Sequence, residues 1–241
     1  MTARVLDVLG AFTAEAPQLS LTEISRRTAL PLTTTHRLVG ELAAWGALER
    51  ADDGQYRVGL RLFEVGALAP RGLGLRDAAM PYLEDLHEVT RQNVQLAVLD
   101  GAEVVYVERL AARDAVSILT RAGSRMPLHA TAVGLSLLAF AGAELQERVL
   151  AAPLRRFTPK TVCDPEEVRR MLAEVRRTGV AISDRQVEMV SQSIGAPVRG
   201  PSGEVVAALS IVVPAEGNPH AYVPAVRAAA RGIGRALARS S

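Results

Sequence analysis

Residues 20–45, SLTEISRRTALPLTTTHRLVGELAAW, constrain the fold more than any other stretch, because they spell two short helices joined by a tight turn. Ser20 and Glu23 form an S-x-x-E capping box, in which the hydroxyl of the first and the carboxylate of the second satisfy N–H groups at the opening of a helix. Leu21, Ile24 and, past the turn, Leu30 supply its inner face. Pro31 lacks an N–H and holds φ near the helical value, which suits the first position of a second helix, and Thr33, Thr34 and Thr35 fill the opening turn. Leu38, Leu42 and Trp45 come next at helical spacing and are expected to face inward. The opposite face shows Thr33, Thr34, His36 and Arg37, hydrogen-bonding groups placed where a recognition helix meets base edges and phosphates in a major groove.

Taken alone, such a pair is better explained as an ordinary helical hairpin with capping threonines and solvated arginines. The residues immediately downstream change the balance. Glu49 and Arg50 lead through Ala51-Asp52-Asp53-Gly54-Gln55 into Tyr56-Arg57-Val58, two short strands about a tight Asp-Gly turn. Two helices and then a hairpin make a winged helix-turn-helix, in which the wing lies along the DNA backbone or minor groove. Arg57 is the expected wing contact. Net charge is only +2 over 241 residues, so affinity for DNA must come from local placement of Arg26, Arg27, Arg37, Arg50 and Arg57 rather than from a global field.

Upstream, Val5, Leu6, Val8, Leu9 and Phe12 give a first helix an apolar stripe, ended by Ala16-Pro17. Residues 1–59 therefore read as one small domain. Leu62, Phe63, Val65 and Leu68 begin an amphipathic helix that Pro70, Gly72 and Gly74 interrupt, and a second helix runs from about Leu75 to Val89, so residues 60–89 read as a linker. From residue 90 to 241 the texture changes. Val94, Leu96 and Val98 alternate, Asp100-Gly101 turns the chain, and Val104 to Val107 runs back as an antiparallel hairpin. An apolar run from Val116 to Leu119, then helices at Ala130–Phe140, Glu144–Ala151 and Pro165–Thr178, separate this hairpin from strands at Val180–Ile182, Ser193–Val198 and Val205–Val213. A last helix covers roughly Val223 to Ala238. Strands at both ends with helices between describe an α+β domain on one mainly antiparallel sheet.

Cys163 is the only cysteine, which excludes an intrachain disulfide and a cysteine-cluster metal site and fits a reducing cytoplasm. Arg4, Asp7 and Glu15 interrupt the N-terminal apolar residues, unlike a secretory signal. The uncharged stretch from Met126 to Ala143 contains Pro127, His129, Thr131 and Ser136 and is short for a bilayer span, so no membrane partner is expected.

In this order, the motifs resemble those of the IclR-type bacterial transcriptional regulators along essentially the whole chain. They are the winged helix-turn-helix, Leu99-Asp100-Gly101 with Val104-Val105-Tyr106-Val107, the run from Gly123 through Met126-Pro127-Leu128-His129-Ala130-Thr131 to Gly134, Arg156-Phe157-Thr158-Pro159, and Ala196-Pro197-Val198-Arg199 with Ala207-Ala208-Leu209-Ser210 after it. The resemblance implies an N-terminal winged helix-turn-helix joined by a linker helix to a GAF-like mixed α/β effector-binding domain. It implies binding to double-stranded operator DNA, regulation (in the sense of a repressor) by a small organic effector, and a homodimer or dimer of dimers. It places DNA reading on Thr33, Thr34, His36 and Arg37, with Leu32 standing where relatives often carry a basic or polar residue and Arg26, Arg27 or the wing supplying the missing contact. It places the effector pocket on Met126 to Thr131, the segment around Asp184, Ser191, Ser193, Ser210 and Val212. The chain departs from the family at Val190, Ser191, Ser193 and Val212, which bears on the identity of the ligand.

The residues support such a pocket on their own. Free N–H groups where a helix opens at residues 130–134, with the Thr131 hydroxyl, offer a carboxylate site. Ala130, Ala132 and Gly134 let a ligand approach the backbone, Ser191, Ser193 and Ser210 fix its orientation, and Met126, Leu128 and Val212 cover its apolar body. The expected effector is a small organic acid. An enzyme and a metal sensor are the competing classes. Gly134-Leu135-Ser136 lacks the second glycine of a nucleophile elbow, Cys163 has no histidine near it in sequence, and His36, His87, His129 and His220 lack ligand spacing. No cofactor and no metal ligand set is expected. Replacing Arg37 with Ala is expected to weaken operator binding by about 1 to 3 kcal/mol if the guanidinium contacts a base; wild-type affinity in a gel-shift titration would remove the recognition-helix assignment.

Overall fold

The structure is a computed structural model describing residues 1–13, 15–69, 73–113 and 115–240. The chain divides into two compact units, Met1–Leu73 and Gly74–Ser241, so the stretch 60–89 is shared between them. Pro70 and Gly72, two of the expected breaks in that stretch, lie outside the described residues, and Gly74 falls inside a helix.

The first unit contains α1 (Thr2–Gly10), β1 (Gln18–Leu19), α2 (Leu21–Thr28), α3 (Leu32–Trp45), β2 (Leu48–Arg50), β3 (Tyr56–Val58) and α4 (Leu60–Gly66). Its capping box closes in both directions. The N–H and hydroxyl of Ser20 donate to Glu23 Oε2 at 2.8 and 2.7 Å, and the Glu23 N–H returns to Ser20 Oγ at 3.3 Å. These bonds favour the ionised carboxylate and pull the Glu23 pKa down. Between α2 and α3, Ala29 takes a left-handed conformation with φ +54°, and the Ser25 hydroxyl donates to the Leu30 carbonyl at 2.6 Å. Val8, Leu19, Ile24, Leu38, Val39, Leu42 and Leu48 form the buried core.

Several expectations shift in this unit. Pro31 is the N-cap, with ψ 142°, so α3 begins one residue later than the sequence suggests. Thr35 is buried, its hydroxyl bonded back to the Pro31 carbonyl. Leu6 is 62% exposed and Trp45 43% exposed; the core ends at Leu42, and the indole is covered from outside by Arg61, 4.4 Å from its ring centroid. Of the apolar residues expected to make an amphipathic helix after the wing, only Leu62 packs on the core, while Phe63, Val65 and Leu68 are exposed. The wing forms as an antiparallel pair with Glu49 opposite Arg57 and a bend at Gly54, φ +80°. β1 adds a third strand to it, pairing Leu19 with Tyr56, which two residues of sequence do not announce.

The second unit contains α5 (Leu73–Thr90), β4 (Asn93–Asp100), β5 (Glu103–Leu110), β6 (Arg125–Pro127), α6 (Ala132–Leu138), α7 (Ala143–Ala151), α8 (Pro165–Thr178), β7 (Ala181–Asp184), β8 (Ser191–Arg199), β9 (Val205–Pro214) and α9 (Val223–Ser240). Its six strands run in the order β6-β5-β4-β9-β8-β7, and every neighbouring pair is antiparallel. The central strands are buried on both faces. Val94, Leu96 and Val98 of β4, Ile194, Ala196 and Val198 of β8 and Leu209, Ile211 and Val213 of β9 share one core with Leu83 and Leu86 of α5 and Val226 and Ile233 of α9. The alternate residues face the layer of α6 and α8, where Leu128, Leu135, Leu138 and Leu172 make a second core. The apolar run Val116–Leu119 forms no strand; Arg125–Pro127 pairs with β5 instead.

α6 opens at Ala132, not Ala130, because Thr131 is its N-cap and accepts from the Gly134 N–H at 3.0 Å. A Cβ on Gly134 would stand 2.5 Å from the Leu128 carbonyl oxygen and 2.6 Å from Thr131 Oγ1. Both neighbours are fixed by the fold. Gly134→Ala is therefore expected to cost about 1 to 3 kcal/mol through overpacking, read as a lower denaturant midpoint for the C-terminal unit with the N-terminal unit unaffected.

Candidate functional site

Two surfaces carry chemistry. The first lies on α3, whose outer face bears Thr33, His36 and Arg37 exposed and Thr34 half-buried, beside an exposed Leu32. Leu38 and Val39 are completely buried on the other side, so packing fixes which face is presented. Arg37 is paired with Glu41 one turn on, both side chains being about half exposed. Such a pair contributes little in water and leaves the guanidinium free to exchange to a phosphate or base. Arg26 is exposed in the last turn of α2, whereas the neighbouring Arg27 donates to the Ala11 carbonyl at 3.0 Å and ties α2 to α1. On the wing, Arg57 is held by Glu49 at 3.0 Å, and Glu49 also accepts from the Leu60 N–H. The wing loop carries Asp52 and Asp53, so its tip is acidic and its cations sit at the base.

The second surface is a recess on the α6 face of the six-stranded sheet. Antiparallel register sets Gln95 of β4, Ser210 of β9 and Gly195 of β8 in one row, and Asn93, Val212 and Ser193 in the next. Because strand side chains alternate, the residues between the core-facing Leu, Ile and Val positions point here. Thr131, Ala132, Ser191, Ser193, Ser210 and Val212 line the recess, joined by Gln95, Tyr106, Ile118, Thr120, Ser183 and Glu188. Its free volume is about 40 Å³. That is tight for an organic ligand, so occupancy requires side chains at the mouth to move aside.

Four residues assigned to the pocket from sequence lie outside this lining. Met126 sits on β6 and packs against the second core, and Leu128 is wholly buried within it. Ala130 precedes the helix and is buried, its carbonyl accepting from the Ser183 hydroxyl at 2.7 Å. Asp184 is turned out by strand alternation and paired with Arg185; Ser183 takes the inward position. Gln95 and Tyr106 were missed because nothing in their own segments distinguishes them. Only the pairing of β4 with β9, more than a hundred residues away, brings Gln95 against Ser210, whose hydroxyl donates to Gln95 Oε1 at 3.3 Å.

The polar groups of the recess are largely committed to each other. Gln95 donates to Thr120 and accepts from Ser210, Thr131 caps α6, and burial drives the Tyr106 phenol pKa up so that it stays neutral. Among the described residues Glu188 is the one carboxylate of the lining, and no Lys, Arg or His lines it. Burial raises the Glu188 pKa, against a weak 3.4 Å bond from the Leu119 N–H and the nearby charge of Arg109.

The groups that an enzyme or metal site would use lie elsewhere. His129 is buried with Nε2 3.0 Å from the Arg155 carbonyl, and burial lowers its pKa. Ser136 lies inside α6 with its hydroxyl buried. Among the described residues no three His, Cys, Asp or Glu side chains cluster as a metal site, and no helix is long and apolar enough to cross a membrane.

Comparison with known proteins gives this architecture a family. The family model for the bacterial transcriptional regulator IclR C-terminal domain matches residues 69–238, and that for the IclR helix-turn-helix domain matches residues 2–52. The chain is 33% identical over 210 residues to the HTH-type transcriptional regulator XynR of Escherichia coli strain K12, covering 86% of this chain and 83% of that one. It is 32% identical over 197 residues to the HTH-type transcriptional repressor AllR of the same strain, covering 81% and 73%. The crystal structure of an IclR homolog from Microbacterium hydrocarbonoxydans complexed with 4-hydroxybenzoate superposes with a TM-score of 0.95 at 42% identity, covering 100% of this chain and 99% of that one. The chain belongs to the IclR family of bacterial transcriptional regulators, pairing a DNA-binding helix-turn-helix with a C-terminal effector-binding domain.

Proposed function

We propose that this protein is a cytoplasmic repressor that releases its operator when a small hydroxylated organic acid enters the recess beneath α6. The recess carries the proposal: serines from two strands and the α6 cap converge there, and the Microbacterium homolog of the same fold was crystallised in complex with 4-hydroxybenzoate. Thr33, Thr34, His36 and Arg37 read the major groove, while Arg26 and Arg57 contact phosphates. A homodimer or dimer of dimers would present paired recognition helices to a near-palindromic site. AllR, a relative, is named a repressor, and that supports the sign of the response. The chain's relatives are regulators rather than enzymes, and no catalytic role is assigned to His129, Ser136 or Cys163.

Within the recess, Thr131, Ser191, Ser193 and Ser210 orient the effector, and Ala132 and Val212 give it close apolar contact. Binding controls DNA only if the effector's affinity differs between the DNA-competent and incompetent states. Because Gln95 is already bonded to Thr120 and Ser210, and Thr131 to the first turn of α6, a ligand enters by exchanging those bonds. That exchange couples occupancy to the positions of α6 and the 115–121 loop.

Glu188 sets the pH response. Its raised pKa means that it ionises over a range above 4.5, and an ionised Glu188 repels a bound carboxylate. Of the groups around it, Tyr106 stays neutral and Arg109 opposes the repulsion. Affinity for 4-hydroxybenzoate, measured by titration calorimetry, is therefore expected to fall as pH rises through that range. Glu188→Gln should flatten the profile and tighten binding near neutrality, by on the order of tenfold. Absence of binding, or binding that leaves operator affinity unchanged, would overturn the effector assignment.

A further inference from the structure

A second concave surface in the C-terminal unit shares no residue with the effector recess. It is a groove of about 580 Å³ between the ends of α6 and α8, the end of β8 and the outer face of α9. Five of its lining side chains are Arg176, Arg199, Arg227, Arg231 and Arg235, and among the described residues no Asp or Glu lines it. Other arginines of the chain, such as Arg125, Arg169 and Arg177, are paired with carboxylates. These five have no carboxylate within salt-bridge distance among the described residues. Glu204 lies against Gly200 near one end but neither lines the groove nor pairs with Arg199.

The arrangement is partly preorganised. Arg199 is stacked 4.8 Å over the Phe140 ring and donates to the Gly203 carbonyl at 2.7 Å. Arg176 donates to the Ala139 carbonyl at 3.1 Å, which leaves donors on each guanidinium for an outside partner. Arg227, half-buried, and Arg231 and Arg235, both exposed, recur every four residues along α9, whose other side buries Val226, Ala229 and Ile233. α9 contains no acidic residue. Clustering like charges this way works against the compact fold unless an anion neutralises them, and the chain as a whole is only +2, so the concentration is local.

We propose that this groove binds a small polyphosphate, of the nucleoside triphosphate kind. Guanidinium groups pair with phosphate oxygens bidentately. From Arg227 to Arg235 the helix advances about 12 Å, longer than one phosphate needs and suited to a chain of them with a sugar attached. The groove is concave and its volume falls among small-molecule sites, which favours a compact polyanion over a nucleic-acid backbone.

Calorimetric titration of the full chain with adenosine triphosphate, inorganic tripolyphosphate and adenosine monophosphate at near-physiological salt tests the assignment. Saturable binding of the first two, with the monophosphate weaker by at least about tenfold, is expected. The double substitution Arg231→Gln/Arg235→Gln should weaken the triphosphates by at least about tenfold while leaving the melting curve and 4-hydroxybenzoate binding unchanged. Equal binding by the variant places the anion elsewhere and overturns the proposal, as does the absence of saturable binding. If the variant instead loses only salt-sensitive affinity for a non-operator duplex, or if polyglutamate binds as tightly as tripolyphosphate, the groove is a track for a macromolecular polyanion and the small-ligand assignment fails.

Discussion

The close approach of α6 to the sheet is the constraint on which the sensor half of this protein depends. At Gly195 a side chain would meet the Ala132 backbone at 3.1 Å, and at Gly134 it would meet the Leu128 carbonyl at 2.5 Å. Gly195 therefore lets β8 lie nearly against the start of α6, and Gly134 lets the first turn of α6 close on the 128–131 segment that leads into it. With α6 pressed down at this point, the short polar side chains of β8 and β9 just beyond it are left facing unfilled space. The recess is where helix and sheet diverge from their point of closest contact. Its polarity comes from the alternation of β4, β8 and β9, which send their large apolar side chains to α5 and α9 and leave Gln95, Ser193 and Ser210 for the other side.

The reading head rests on a different kind of interaction. Its core is small, and local hydrogen bonds supplement it: the Ser20–Glu23 box at the start of α2, the Ser25–Leu30 bond in the turn, and the Arg27 link from α2 to the Ala11 carbonyl. These fix the angle between α2 and α3 and so the exposure of Thr33, His36 and Arg37. The cations on this face are held by exposed carboxylate partners that phosphate can replace at little cost. Arg37 and Arg57 of the N-terminal unit thus carry carboxylate partners, whereas the arginines of the groove along α9 have none among the described residues. The two arrangements suit different tasks: exchangeable pairs for a partner that must be released, and an open cluster for an anion that fills it.

Glu188 is the one carboxylate that lines the recess among the described residues, so an anionic effector there would not be held by charge attraction. On the proposed reading, hydroxyl and amide groups supply the recognition, and the bonds from Gln95 to the 115–121 loop and from Thr131 to α6 are the ones a ligand would exchange.

The sequence by itself determined the local and periodic features. The capping box, the helix pair, the wing, the α8 helix opened by Asp164 and Pro165, and the strands β4, β5, β8 and β9 all arise from short-range patterns whose physical causes act within a few residues. Thr131, Ser191, Ser193 and Ser210, placed by the family resemblance, do line one recess, because alternate residues of β8 and β9 face the same side as the cap of α6. Tertiary structure decided the rest. Whether Ser183 or Asp184 faces inward depends on how β7 meets β8, Gln95 reaches Ser210 only through a strand pairing that skips most of the domain, and Trp45 lies outside because the core ends at Leu42. The arginines of α9 look like solvated charges in sequence, and only the folding of β8 and α8 around them makes a groove, because burial and electrostatic environment belong to neighbours that the chain brings together from a distance.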